Sequence, residues 1–431
     1  MKPNLYLSNR LSAVEVQLIM QGLDLKELLI LSRCSKFLRC VASHRFPWKY
    51  TSPLSFDIFN FINWNEYFHT LYNQSQKYVP LQHASLSADC VSITDITLLI
   101  KTLSKYNLND KLVQLKFNHC FYDFGGIRYI SPAIMKLDDI LKQHHNLNSV
   151  NLGYNSIGYE GVKVLSQFIK NSTAIRNINI CYNRIGDEPM QYLSEAIQYN
   201  NSIKKINLAG NNITNYGLSI LSNGIKVNKT LTCIYLGNND FDEDEEGGEN
   251  NFVSMVNAIK FSSSLKEIHF NNNHISDNGF MKIIEAIEFN RNITSINLKD
   301  TFFNNLKCIK ELSFILKYDK CSITHINLSS NDLDCNCIDI LVDAAKFSNS
   351  ITMMDLSDNI FFIGERSKAL IHSIINNKHI TNVILKNNEI TSLIYEAFNS
   401  SNQKEKEKTY TYRDRISSAL VTFYSKLFPM Q

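Results

Sequence analysis

Residues 203–211 read IKKINLAGN, residues 323–331 read ITHINLSSN, and residues 351–359 read ITMMDLSDN. All three follow one pattern: apolar-x-x-apolar-x-apolar-x-x-Asn. The alternation through Ile203, Ile206 and Leu208 sends one face of a short strand into a core. After the Asn the period changes. Ile213, Gly217, Leu221 and Ile225 recur at fours, as do Ile157, Gly161, Leu165 and Ile169, which makes one apolar stripe on a helix. Each unit is therefore a strand followed by a helix.

The unit repeats. It begins at Leu112, Leu147, Ile175, Ile203, Leu231, Leu265, Ile293, Ile323, Ile351 and Ile380, with a degraded start at Leu81. From Leu112 the intervals are 35, 28, 28, 28, 34, 28, 30, 28 and 29 residues. Self-similarity at this period is the signature of a solenoid, in which no unit buries its core alone. The Asn that closes each strand recurs as Asn155, Asn183, Asn211, Asn239, Asn273, Asn331, Asn359 and Asn388, with Cys120 and Thr301 in two units. A buried Asn at that bend can bond backbone groups of neighbouring turns and form a ladder.

These units resemble leucine-rich repeats. The 28-residue helical form with Asn-x-Ile-Gly, as in Asn155–Gly158, is similar to the ribonuclease-inhibitor subtype. The resemblance spans residues 112–400. It implies an α/β right-handed horseshoe with parallel strands on the concave side and helices on the convex side. It also implies binding of a protein partner, mostly on the concave face.

Ahead of the repeats, residues 11–48 read LSAVEVQLIMQGLDLKELLILSRCSKFLRCVASHRFPW, whose apolar spacing suits a compact all-α module within residues 1–50. The stretch resembles an F-box: Leu11, Ile19-Met20, Leu23-Asp24, Glu27-Leu28-Leu29, Cys34-Ser35-Lys36 and Trp48 fall on that motif without gaps. Ser12, Val14 and Leu25 depart from it. The resemblance implies docking on the Skp-type adaptor of a cullin-containing ubiquitin ligase through Leu11, Leu18, Ile19, Leu23, Leu28 and Leu31. A plain helical cap on the first repeat accounts for the same apolar pattern. Residues 51–111 are aromatic-rich and connect this module to the array, with room for a degraded repeat. Residues 401–431 read as a capping segment, with Ile416, Leu420, Phe423 and Leu427 at helical spacing.

Composition narrows the function. The chain has 431 residues and a net charge of +3, spread as +5 over residues 1–50, −5 over the middle and +3 over residues 401–431. That is not the strongly basic face of a nucleic-acid binder. No run approaches a membrane span, and no apolar stretch near the start reads as a signal peptide. The ten cysteines are scattered along the chain without C-x-x-C, most at positions where a small apolar residue would serve, which fits reduced buried thiols in a cytoplasmic protein. Phosphate-loop, G-x-S-x-G and H-E-x-x-H motifs are absent, as is any zinc-spaced Cys/His set. Neither an enzyme, a cofactor nor a metal is implied. Asp240–Glu249 packs seven acids into ten residues after a strand, a solvated loop or a dock for a basic partner.

The strand residue between the two later apolar positions points away from the core: Asn151, Asn179, Asn207, Tyr235, His269, Asn297, Asn327, Asp355 and Ile384. Tyr154 and Tyr182 stand near the ends of their strands. Tyr combines contact area with a polar tip. The expected partner site is therefore Tyr154, Tyr182, Asn207, Tyr235 and His269. The function expected is a substrate receptor of a cullin-type ligase. The alternative is a stand-alone repeat scaffold, including a pathogen effector acting in the host cytosol.

Overall fold

A computed structural model describes residues 54–58, 84–89, 112–118, 132–241, 248–360 and 382–384. The F-box-like stretch, the capping segment and most of the acidic insertion lie outside the described residues. The chain divides into two compact units, Met1–Cys120 with Lys142–Ser149, and Phe121–Leu141 with Val150–Gln431.

The first unit carries three parallel strands, β1 (Leu54–Ile58), β2 (Ala84–Asp89) and β3 (Leu112–Asn118). β2 is the strand anticipated after Leu81, and β1 adds one that the repeat pattern does not mark. The register between β2 and β3 shifts by one residue after Ala84. Leu115 and Phe117 of β3 are buried.

Among its described residues the second unit holds nine strands: β4 (Ser149–Asn151), β5 (Asn177–Asn179), β6 (Lys205–Asn207), β7 (Cys233–Tyr235), β8 (Glu267–His269), β9 (Ser295–Asn297), β10 (His325–Asn327), β11 (Met353–Asp355) and β12 (Asn382–Ile384). They lie side by side in sequence order, and every pairing from β5 to β12 is parallel. Between strands run helices α1 (Pro132–Gln143), α2 (Gly158–Asn171), α3 (Met190–Tyr199), α4 (Asn215–Val227), α5 (Gly248–Phe261), α6 (Asp277–Phe289), α7 (Leu306–Lys317) and α8 (Cys335–Phe347). This is the α/β leucine-rich-repeat solenoid expected from the sequence. Among the described residues no helix is long and apolar enough to cross a membrane.

The core is made of equivalent residues stacked from unit to unit. Ile178, Ile206, Ile234, Ile268, Ile296, Ile326 and Met354 fill the centre of successive strands, each no more than 2% exposed. Burying one such side chain contributes about 1.5–3 kcal/mol. Helices pack closely where small residues allow it. Gly224 on α4 donates its N–H to Ser194 Oγ at 2.9 Å, and a Cβ at that glycine would collide with the Ser194 carbonyl.

Two Asn ladders hold the bends. Asn211 is fully buried, donates to the carbonyls of Ile180 (2.8 Å) and Leu208 (3.0 Å), and accepts from Asn183 N (2.7 Å). Thr301 fits the same slot with a shorter reach, donating to Leu298 O at 2.7 Å. The second ladder sits at helix C-termini. Asn200 donates to the carbonyls of Ile169 and Ser172, Asn228 to those of Ile197 and Asn200, and Asn290 to those of Ile259 and Ser262. These side chains satisfy carbonyls that the helix ends leave unpaired.

Candidate functional site

On the sheet face away from the helices, the repeated Asn has a local job. Asn151, Asn179, Asn207, Asn297 and Asn327 each accept, through Oδ1, the backbone N–H two residues ahead, at 2.9–3.1 Å. Asp355 does the same toward Ser357 N at 3.0 Å. This is an Asx turn, which ends the strand and bends the chain toward the ladder. The recurrence of Asn in this row is thus explained by strand termination, Asn207 included.

Tyr235 and His269 break that rule on adjacent strands. They are register partners, and their rings stack at 4.2 Å between centroids and 19° apart. Cys233 and Glu267, also register partners, stand two residues earlier on the same face. Cys233 Sγ, a Glu267 carboxylate oxygen and a His269 ring nitrogen all lie within 4.8 Å of one another. Lys205 on β6 approaches Glu267 at 3.8 Å, with both side chains partly exposed. Burial, the largest influence, pushes the Cys233 thiol up to about 12 and raises the Tyr235 phenol above its ordinary value. Burial also lowers His269 to about 4. Burial thus favours the neutral thiol, phenol and imidazole of Cys233, Tyr235 and His269. His269 Nε2 is buried without a hydrogen-bond partner.

Tyr154 and Tyr182 form a second pair, stacked at 4.8 Å and 11°, with 47% and 40% of their surface exposed. Both occupy the position just before a ladder Asn, where φ is positive: 57° and 53°. The equivalent positions hold Gly210, Asn238, Asn272, Asp300, Ser330 and Asp358. Gly, Asn and Asp tolerate this conformation, whereas for a bulky residue it is an outlier. Gly210 serves the pair directly, because a Cβ there would collide with the Tyr182 ring.

The five expected partner residues thus fall into two stacked aromatic pairs with Asn207 on the strand between them. Leu11, Leu18, Ile19, Leu23, Leu28 and Leu31 lie outside the described residues. So do residues 242–247 of the acidic insertion, while Phe241 beside it is buried against Phe270. A further exposed row escaped the sequence reading. Tyr199, Phe261, Phe289 and Phe347 end α3, α5, α6 and α8, each more than half exposed. Phe261 meets Phe289 edge-on at 5.4 Å, and Lys317 lies 4.7 Å over Phe347. Their signal was an aromatic just before the Asn or Ser of the helix-end turn, as in Tyr199-Asn200 and Phe347-Ser348.

A leucine-rich-repeat family model matches residues 143–166, 199–222 and 261–283. Among solved structures, the chain is similar to leiomodin-1 actin-binding site 2, at 20% identity, covering 36% of this chain and 88% of that one with a TM-score of 0.31. No curated protein matches.

Proposed function

We propose that the protein is an interaction module that holds a protein partner on the sheet face opposite the helices. The observation that carries this reading is the pair of aromatic stacks at β4–β5 and β7–β8. At Tyr154 and Tyr182 the fold retains bulky residues in a conformation that costs about 1–2 kcal/mol each. At Tyr235 and His269 it forgoes the Asx turn that its neighbours use. Local strain and a missing turn bond are the marks of a surface kept for contact. Stacked Tyr and His offer broad area with polar edges and little rotamer entropy to lose.

The finer assignment is a substrate receptor of a cullin-type ubiquitin ligase in the cytoplasm. The F-box-like residues Leu11, Leu18, Ile19, Leu23, Leu28 and Leu31 would tether a Skp-type adaptor, and the ribonuclease-inhibitor-like array would hold the substrate on its concave face. Its support is the gapless fit of residues 11–48 to that motif. Two measurements test the two levels separately. Co-purification of full-length protein with a Skp-type adaptor, lost on removing residues 1–50, supports the ligase role. Its absence, where a known F-box protein succeeds, leaves a stand-alone binding module. Proximity cross-linking through a photoreactive group at position 182 or 235 should capture the partner of the sheet face. Cross-links that form only from the helix side would overturn the surface assignment.

A further inference from the structure

We propose that Cys233, Glu267 and His269 form a zinc site on the sheet face, with sulfur, carboxylate oxygen and ring nitrogen as ligands and a fourth position open to solvent. The donor set points to the metal. Thiolate plus imidazole excludes calcium and magnesium, which require oxygen ligands, and suits a borderline cation such as Zn²⁺. Three protein ligands with one open position is a geometry that zinc adopts.

The framework is preset. Cys233 and Glu267 face each other across two hydrogen-bonded strands, and His269 follows Glu267 by two residues on the same face. The donor atoms lie within 4.8 Å of one another, whereas zinc bonds of about 2.0–2.3 Å place tetrahedral ligands about 3.4–3.6 Å apart. Closing that gap of about 1 Å needs side-chain rotation, with the strands unmoved. The buried Nε2 of His269 has no hydrogen-bond partner, so the ring is not tied to another group through that nitrogen. Glu267 is partly exposed and gives the ion a way in.

Charge supports the same assignment. Binding would release the Cys233 thiol proton to solvent and leave thiolate and carboxylate to balance Zn²⁺, so the three ligands and the ion together carry no net charge. Lys205 lies 3.8 Å from Glu267 on a partly exposed side chain, which leaves it free to swing into solvent when the ion binds. Local spacing rules do not find such a site, since Cys233 precedes Glu267 by 34 residues and meets it only because the repeat stacks them.

The test is independent of any partner, because it uses the full-length protein alone. Metal-free protein is titrated with Co²⁺, a spectroscopic stand-in, and then with Zn²⁺ in competition. We expect one ion per chain and a thiolate-to-cobalt charge-transfer band that zinc abolishes. C233S should lose the band and weaken binding at least about 100-fold, while H269A and E267Q should weaken it by at least about tenfold. C321S, which alters another buried thiol, should leave both unchanged. Cobalt binding without a charge-transfer band in the unmodified protein overturns the site, whatever the variants do. So does binding that is equally tight in C233S or in both E267Q and H269A.

Discussion

The ring of Tyr235 lies over the imidazole of His269, centroids 4.2 Å apart, at strand positions where the flanking repeats place Asn207 and Asn297. Each flanking Asn closes an Asx turn at 3.0 Å, and neither ring makes that bond. The stack stands in for a bond that the repeat pattern would otherwise supply.

Restoring that bond should separate binding from stability. In Y235N/H269N the stack of about 0.5–1.5 kcal/mol is lost, and each Asn regains a turn bond of similar size. Denaturant unfolding should show a change within about 1 kcal/mol. Partner affinity should fall by more than about 2 kcal/mol, roughly 30-fold, if the rings are an energetic centre. An unchanged affinity by calorimetry would remove them from the interface.

Tyr182 should behave as a residue kept against stability. Y182N relieves a positive φ that Asn adopts readily, and loses the stack on Tyr154. Its melting temperature should match or exceed that of the unmodified protein. Gly210→Ala should do the reverse, losing about 1 kcal/mol or more, since φ is 67° and the added methyl meets the Tyr182 ring.

The two kinds of Asn should differ sharply on truncation. Asn211→Ala removes a fully buried amide and strands the carbonyl of Ile180 and the N–H of Asn183, while Leu208 O keeps its bond from Asn239, so about 3 kcal/mol or more should be lost. Asn207→Ala removes one half-buried turn bond and should lose about 1 kcal/mol. Equal losses in urea titrations would contradict the ladder as the main polar support.

Asp334 should set part of the acid sensitivity. It caps α8, accepting from Cys337 N at 2.9 Å, and that bond holds its carboxyl below the ordinary carboxylate value. A depressed folded pKa adds stability above the ordinary value and loses it as pH falls through the folded one. Asp334→Ala should lose about 1 kcal/mol at neutral pH. Asp334→Asn keeps an acceptor and should flatten this part of the acid limb in pH-dependent melting.

The strands, helices and main Asn ladder were legible because each rests on a spacing within one unit, as Ile206, Leu208 and Asn211 show. The Asn200–Asn228–Asn290 ladder was hidden because Asn before a helix-end turn resembles ordinary loop composition. The turn bond of Asn207 was hidden for a related reason: a side chain bonded to its own backbone leaves no cross-strand pattern. The meeting of Cys233, Glu267 and His269 depends on register across units, so no linear motif contains it. The tyrosines were singled out by residue type alone. Their backbone conformation could have been suspected from the Gly, Asn and Asp in the same column.

The main ladder has a direction. Asn183 N donates to Asn211, Asn211 N to Asn239, Asn239 N to Asn273, and Asn331 N to Asn359. Each bend is thus completed by the repeat that follows it. Shortening the array from its C-terminal side orphans a ladder backbone N–H such as that of Asn183, whereas shortening it from the other side leaves that N–H bond intact and instead takes carbonyls from side-chain donors such as Asn211 Nδ2. The two ends of a symmetric-looking stack are therefore unequal. Fraying, amide exchange and tolerance of deletion should all run asymmetrically along it, with any shortened form needing to keep the Asn of one repeat more than it appears to use.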